Sequence, residues 1–288
     1  MATNTIEPEK KRFEQFLETH KKKSIPYKAG CIEYYSSGKG KHTVVVLPHI
    51  SNLFAQEMSY NHILHFEKYN KVLAPELIGA ATMEEVAGML HHLLEKENCN
   101  NVIIYGQSGS GITAQIFFKR YYRDVKGMIL VNTIGPGKKA NKKKGLAGML
   151  RFIPGFFLKG MLKKTMTTYA KNITIPEKSL PRIRQSRALM ETYFTTRFSK
   201  KNLVNEMEIV FRFNEEKIPT EKELPGWNGR VLIVTSEDDS GYEDSIKLSE
   251  ALPHSELFVF EKGFGHLTPA IRSDEFYRKV NDFIAGLE

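Results

Sequence analysis

Between Asn101 and Ala114 the chain changes character within a few residues. Val102-Ile103-Ile104-Tyr105 is an apolar, β-prone run that stops at Gly106. The hexad Gly106-Gln107-Ser108-Gly109-Ser110-Gly111 is small and polar, and Ile112 to Tyr122 is helix-compatible. This order predicts a strand, a tight turn and a helix, with Ser108 at the apex. A strand that reverses sharply into a helix needs small residues where the two elements approach, so the hexad restricts the fold more than any other stretch. A serine held at that apex has its hydroxyl above the sheet and at the amino end of a helix. Partial positive charge and free backbone N–H groups favour an anion there.

The rest of the chain repeats the alternation. Residues 5–23 read as an amphipathic helix with Phe13, Phe16 and Leu17 on one face, its Lys21-Lys22-Lys23 run a solvated end. Residues 31–36 and 42–47 read as strands joined by the turn-prone Gly38-Lys39-Gly40-Lys41. A helix to about His65, a strand over 71–74, a helix over 83–96, the Ser108 unit and a buried strand over 127–132 follow. Residues 135 to about 225 are Lys- and Pro-punctuated and read as helices without a clear strand. Alternation resumes with a strand over 230–235, a helix near 243–252, a strand over 256–260 and a last helix over 273–286. Strands alternating with helices imply an α/β fold, a mostly parallel sheet with helices on both faces. The expected organisation is a core over 1–134, a helical insertion over 135–225 and the rest of the core over 226–288.

Charge is informative once it is located. The net charge of the 288 residues is +9, and the segment from Lys138 to Lys164 alone holds nine basic residues and no acidic one. The remainder is therefore neutral, which argues against a nucleic-acid-binding domain and makes nucleic acid an unexpected partner. No apolar run reaches the roughly 18 to 20 residues of a membrane span, and the amino end lacks the apolar core of a secretory signal. Cys31 and Cys99 stand far apart, so neither a disulfide framework nor a structural zinc site is expected, and the expected location is the cytoplasm.

Three motifs overlap at the hexad. Gly106 to Thr113 matches a phosphate-binding G-x-x-x-x-G-K-T loop except that Ile112 stands where the lysine belongs, so the β- and γ-phosphates lose their cation. Gly109 to Ala114 matches G-x-G-x-x-A, yet Asn132 occupies the place of the acid that a dinucleotide-binding unit carries after its next strand. The third match is G-x-S-x-G with Ser110 in the last place, which makes Ser108 a nucleophile. A serine hydroxyl attacks poorly until a histidine accepts its proton and a carboxylate orients that histidine. Asp238-Asp239 follows the strand 231–235 and His266 follows the strand 256–260, so serine, acid and base occur in that order. Asp239 fits the offset from its strand better than Asp238. The Gly109 amide and one from the loop after strand 42–47, Ile50, are the expected oxyanion donors, and His49 beside it reads as a loop residue or pocket wall.

Taken together, Gly106–Gly111, Ser236-Glu237-Asp238-Asp239 and Gly263-Phe264-Gly265-His266 resemble the nucleophile, acid and base motifs of the α/β-hydrolase superfamily, over residues 28–288. More loosely, Leu47-Pro48, Ala81-Thr82-Met83-Glu84-Glu85 and Phe152-Ile153-Pro154 resemble a bacterial group related to maspardin. The resemblance implies an eight-stranded sheet, a cap inserted after the sixth strand, and a serine hydrolase of esterase or lipase type acting on a carboxylic ester or related acyl bond without metal or organic cofactor. Ser108 would attack, His266 would move the proton and Asp239 would hold the histidine. Two departures bear on the oxyanion site: Ser110 replaces the usual glycine, and Pro48-His49 replaces His-Gly. The same triad also serves carbon–carbon bond hydrolysis and cofactor-free perhydrolysis, whereas a dehalogenase would carry a carboxylate at position 108. The alternative class is a binding or adaptor protein that keeps the fold with little turnover.

In that superfamily the cap sets substrate choice. Residues 146–164 combine large apolar residues, Leu150, Phe152, Ile153, Phe156, Phe157, Leu158, Met161 and Leu162 among them, with basic ones. They read as cap helices packed on the core, or as a lid over 138–164 touching an anionic lipid surface. Gln107, His49, Phe156 and Phe157 are the expected pocket residues for an apolar acyl ester.

Overall fold

Alternation of side chains across an extended chain dictates where the core forms. The computed structural model describes residues 6–49, 55–137, 150–169 and 175–287. Eight strands form one sheet: β1 (Lys23–Tyr27), β2 (Gly30–Ser37), β3 (Thr43–Val46), β4 (Lys71–Pro75), β5 (Val102–Gln107), β6 (Val125–Val131), β7 (Arg230–Ser236) and β8 (Ser255–Phe260). Their order is β1-β2-β4-β3-β5-β6-β7-β8. β1 and β2 pair antiparallel, as do β2 and β4, and every later pair is parallel. β5 therefore lies near the middle with both faces covered, which is why Val102 to Tyr105 read as a continuous apolar run.

Helices cover both faces. On one, Ile104, Leu130 and Ile233 of the sheet pack with α3 (Met83–Lys96), α4 (Gly109–Tyr121) and α8 (Tyr242–Ala251). On the other, Ile103, Tyr105, Ile129 and Val131 pack with α1 (Glu7–Thr19), α2 (Tyr60–Phe66) and α10 (Ser273–Ala285). α3 starts where Thr82 Oγ1 accepts the Glu85 N–H at 3.1 Å, while the Glu85 carboxylate accepts from Ala81 N at 2.9 Å. This reciprocal cap fixes the start of the helix at Met83.

Two expectations change. β2 and β3, although consecutive, are not neighbours, because β4 lies between them. The Gly38–Lys41 segment is not a hairpin turn but a close crossing. A Cβ at Gly38 would stand 2.2 Å from the Asn70 carbonyl oxygen, and one at Gly40 2.0 Å from that of Tyr69. The Lys21-Lys22-Lys23 run is not a solvated helix end either. α1 stops at Thr19, Lys23 opens β1, and Lys22 turns inward to Glu57 and Glu76, 2.8 Å from each.

Between β6 and β7 lie α5 (Gly155–Tyr169), α6 (Leu180–Arg197) and α7 (Lys200–Glu215), with no strand among the described residues. Leu150, Leu158, Leu203 and Val204 form a small separate core that joins α5 to α7. Ile209 and Phe213 of α7 enter the main core. Arg197, the last residue of α6, ties this layer to the sheet by ion pairs to Glu76 at 3.1 Å and Glu57 at 3.8 Å. The two carboxylates are almost wholly buried. Burial pulls the Lys22 ammonium down, but the hydrogen bonds it donates to Glu57 and Glu76, with their negative charge, outweigh it, and the net shift is upward.

Candidate functional site

β5 delivers Ser108 to the carboxyl end of the sheet. The Ser108 N–H donates to the Val131 carbonyl at 2.8 Å, one step beyond the last strand pair. The backbone then turns to φ 55° and ψ −126°, a conformation that L-residues rarely adopt. The Ser108 carbonyl is held from two sides, by Thr133 Oγ1 at 2.8 Å and by the Gly111 N–H at 3.0 Å. α4 begins at the next residue, and the Ser108 hydroxyl is not used to cap it.

The neighbouring small residues now have specific reasons. A Cβ at Gly106 would stand 2.6 Å from the Ser110 carbonyl oxygen, and one at Gly111 2.3 Å from Thr133 Oγ1. Ser110, the departure from G-x-S-x-G, fits inside the turn. Its hydroxyl accepts the Gln107 N–H at 2.7 Å and donates to the Gln107 carbonyl at 2.8 Å. The extra atom satisfies backbone groups of the turn instead of crowding them.

Asp239 and His266 come from the next loops, after β7 and β8. His266 Nδ1 donates to Asp239 Oδ2 at 2.7 Å, and Asp239 Oδ1 accepts the Gly241 N–H at 2.7 Å. The Asp239 side chain is 1% exposed, so this hydrogen bond is shielded from water. A proton on Nδ1 leaves the Nε2 lone pair as the ring's basic site, the tautomer a general base needs. Asp238 does a different job. Its two oxygens accept the Gly263 and Gly265 N–H groups at 3.0 and 3.1 Å, which fixes the loop leading to His266. Gly265 has a φ of 47° in that loop.

Of the expected oxyanion donors, Gly109 is the first residue of α4, where N–H groups have no partner within the helix. Ile50 lies outside the described residues. His49 packs against Gly109 so closely that a Cβ there would stand 2.5 Å from His49 Nδ1. Burial, with the nearby His266 charge, pushes His49 down to about 4, so its ring is neutral near pH 7.

Gln107 is half-buried and belongs to a chain of polar groups behind the turn. Tyr105 donates its hydroxyl to Gln107 Oε1 at 3.0 Å and accepts from His62 Nε2 at 3.3 Å, while the Tyr277 hydroxyl donates to His62 Nδ1 at 3.0 Å. Burial pushes His62 down to about 4, which matches a neutral ring with one donor and one acceptor nitrogen. Phe156 and Phe157 stand elsewhere. They are 71% and 59% exposed on α5, with rings 4.6 Å apart.

Sequence reasoning missed Asn132 and Thr133. Asn132 Nδ2 donates to the His266 carbonyl at 3.1 Å, and Thr133 anchors Ser108. The available signal was a polar pair directly after the buried strand that neighbours the one leading to Ser108. Among the described residues no group of three or more His, Cys, Asp or Glu could hold a metal ion, and no helix is long and apolar enough to cross a membrane.

No protein-family model matches the sequence, and a search of curated proteins finds no match. Solved structures do match in shape. A hydrolase from Pseudomonas aeruginosa superposes with a TM-score of 0.70 at 14% identity, covering 91% of this chain and 98% of that one. An enol-lactonase from Burkholderia xenovorans gives 0.68 at 15% identity over 91% and 100% of the two chains. A meta-cleavage product hydrolase from Pseudomonas fluorescens gives 0.67 at 20% identity over 92% and 98%.

Proposed function

We propose that this chain, which takes the α/β-hydrolase fold, is a serine hydrolase that cleaves a carboxylic ester or related acyl bond. The observation that carries the reading is the buried Asp239–His266 hydrogen bond, in loops at the same end of the parallel strands as a serine in a strained turn at the head of a helix. Ser108 Oγ adds to the acyl carbon while His266 Nε2 takes its proton. The imidazolium returns that proton to the leaving oxygen, and the acyl-enzyme is released by water through the same steps. Asp239 holds the ring in the Nδ1–H tautomer and stabilises its charged form.

The Gly109 amide and the positive end of α4 face the developing negative charge. We assign the second donor to Ile50 from its place after β3. Each such donor contributes roughly 3 kcal/mol to the transition state. Residues 135–225 are assigned as the cap. The names of the similar structures, a hydrolase and an enol-lactonase, support acyl chemistry. The test is labelling by a fluorophosphonate together with p-nitrophenyl ester turnover. Both are expected of the wild-type chain and neither of Ser108→Ala. Folded wild-type protein that shows neither would replace this reading with the binding-protein one.

A further inference from the structure

An isolated apolar stripe on a surface helix asks for a partner, and its flanking charge says which kind. α5 has apolar residues on two opposite faces. Leu158 is buried against α7, with Leu162 packed beside it. On the opposite side Phe156, Phe157 and Met161 are 71%, 59% and 61% exposed, and Phe152, just before the helix, is 88% exposed. Positions 156, 157, 160 and 161 share one face at helical spacing. Gly160 between them opens onto empty space, since a Cβ there would meet nothing within 4 Å. Among the described residues, four of the seven large exposed hydrophobic ones therefore fall within ten positions of one another.

The charge of this stretch of sequence has one sign: the segment from 138 to 164 contains nine basic residues and no acid. Lys163 is exposed next to the stripe, whereas Lys159 turns to the Thr195 carbonyl at 3.0 Å and Arg151 pairs with Glu208. A second copy of this chain would set that basic stretch against its like. A protein partner with an ordinary mixed surface would leave most of the charge unmatched. A bilayer with anionic headgroups matches both features, taking the aromatic side chains at the headgroup boundary and the lysines at the phosphates. We infer that the outer face of α5, with Phe152, Phe156, Phe157 and Met161 as its anchors, docks on an anionic lipid surface. The inference does not depend on catalysis by Ser108. It places an α/β-hydrolase fold at a membrane by a face of its helical layer.

Co-flotation of the full chain with vesicles tests it without any activity readout. Mixed phosphatidylcholine and phosphatidylglycerol vesicles are expected to carry the protein, pure phosphatidylcholine vesicles much less, and molar salt is expected to lower binding to the mixed vesicles about tenfold. Replacing Phe152, Phe156, Phe157 and Met161 together with Ser is expected to lower the partition coefficient about a hundredfold. Four outcomes would overturn the inference: no flotation, equal binding to both vesicle types, binding that ignores salt, or a folded quadruple variant that binds like the wild type. Self-association that this variant abolishes, in a chain that ignores lipid, would overturn it in favour of a dimer. Should the variant not fold, the lipid and salt dependence of the wild-type chain decides alone.

Discussion

The carboxyl end of the sheet and the outer face of α5 are built on opposite terms. At the sheet, polar side chains are drawn inside and given partners: Asp239 serves His266 and Gly241, Asp238 serves two glycine amides, and Thr133 holds Ser108. On α5, large apolar side chains are left outside with water around them. Each is costly to the isolated fold: buried polar groups must be desolvated, and exposed aromatic groups forgo burial. A fold tolerates such costs where a reaction or a partner uses the groups. The two regions should therefore respond to mutation differently, one losing function or stability at once, the other losing neither until a surface is supplied.

The largest effect should come from the acid. Asp239→Asn keeps the shape but offers His266 an amide, which favours the wrong tautomer. Ester turnover should fall about ten-thousandfold with the thermal midpoint little changed. Asp238→Asn should cost far less, because its work is on backbone amides at Gly263 and Gly265. Equal losses in the two variants would break the assignment. Next comes the buried ion cluster. Lys22→Met leaves Glu57 and Glu76 facing each other with Arg197 as their remaining close cation, and should cost about 4 kcal/mol in urea unfolding. A loss below about 1 kcal/mol would mean the cluster is hydrated like a surface pair.

How much of this was legible follows from the same contrast. The strand runs, the α3 boundaries and the order Ser108, Asp239, His266 follow from local signals: apolar runs, the helical spacing of Met83, Val86, Leu90 and Leu93, and strand-end positions. Neighbour relations in the sheet do not. Nothing local says that β4 slots between β2 and β3, because parallel pairing is settled by long-range packing. Lys22 misled for the same reason, since a lysine run reads as solvated unless the glutamates that meet it, distant in sequence, are known. Phe156 and Phe157 misled in the other direction. Apolar residues in a cap suggest a lined pocket, and only the helix rotation, set by Leu158 packing on α7, shows them turned outward.

Acid should act on the sheet region before it acts on α5. His49 and His62 are held down to about 4 by burial, against 6.5 for a free histidine. Above pH 6.5 both are neutral in folded and unfolded chains and contribute no pH dependence. Between pH 6.5 and 4 the unfolded chain binds the protons and the folded chain does not, so stability falls as pH falls, by at most about 3 kcal/mol for each ring. His49→Gln and His62→Gln should each flatten the urea-midpoint profile across that window. An unchanged slope in both would place the rings in water.

The smallest expected effect is also the sharpest comparison, because both halves of it lie on one helix. Leu158→Ala removes a side chain that is 3% exposed, leaves a cavity between α5 and α7, and should cost about 2 kcal/mol or more. Phe156→Ser, two residues earlier, removes a larger side chain that is 71% exposed, and should change the unfolding midpoint by about 0.5 kcal/mol at most. Size alone would rank the two the other way round, so the sign of the difference tests the helix rotation itself. If Phe156→Ser proves the costlier, its ring is buried in solution, by a rotated helix or by another copy. If the ranking holds, α5 keeps Leu158 for folding and has Phe156 to spare for a contact outside the chain.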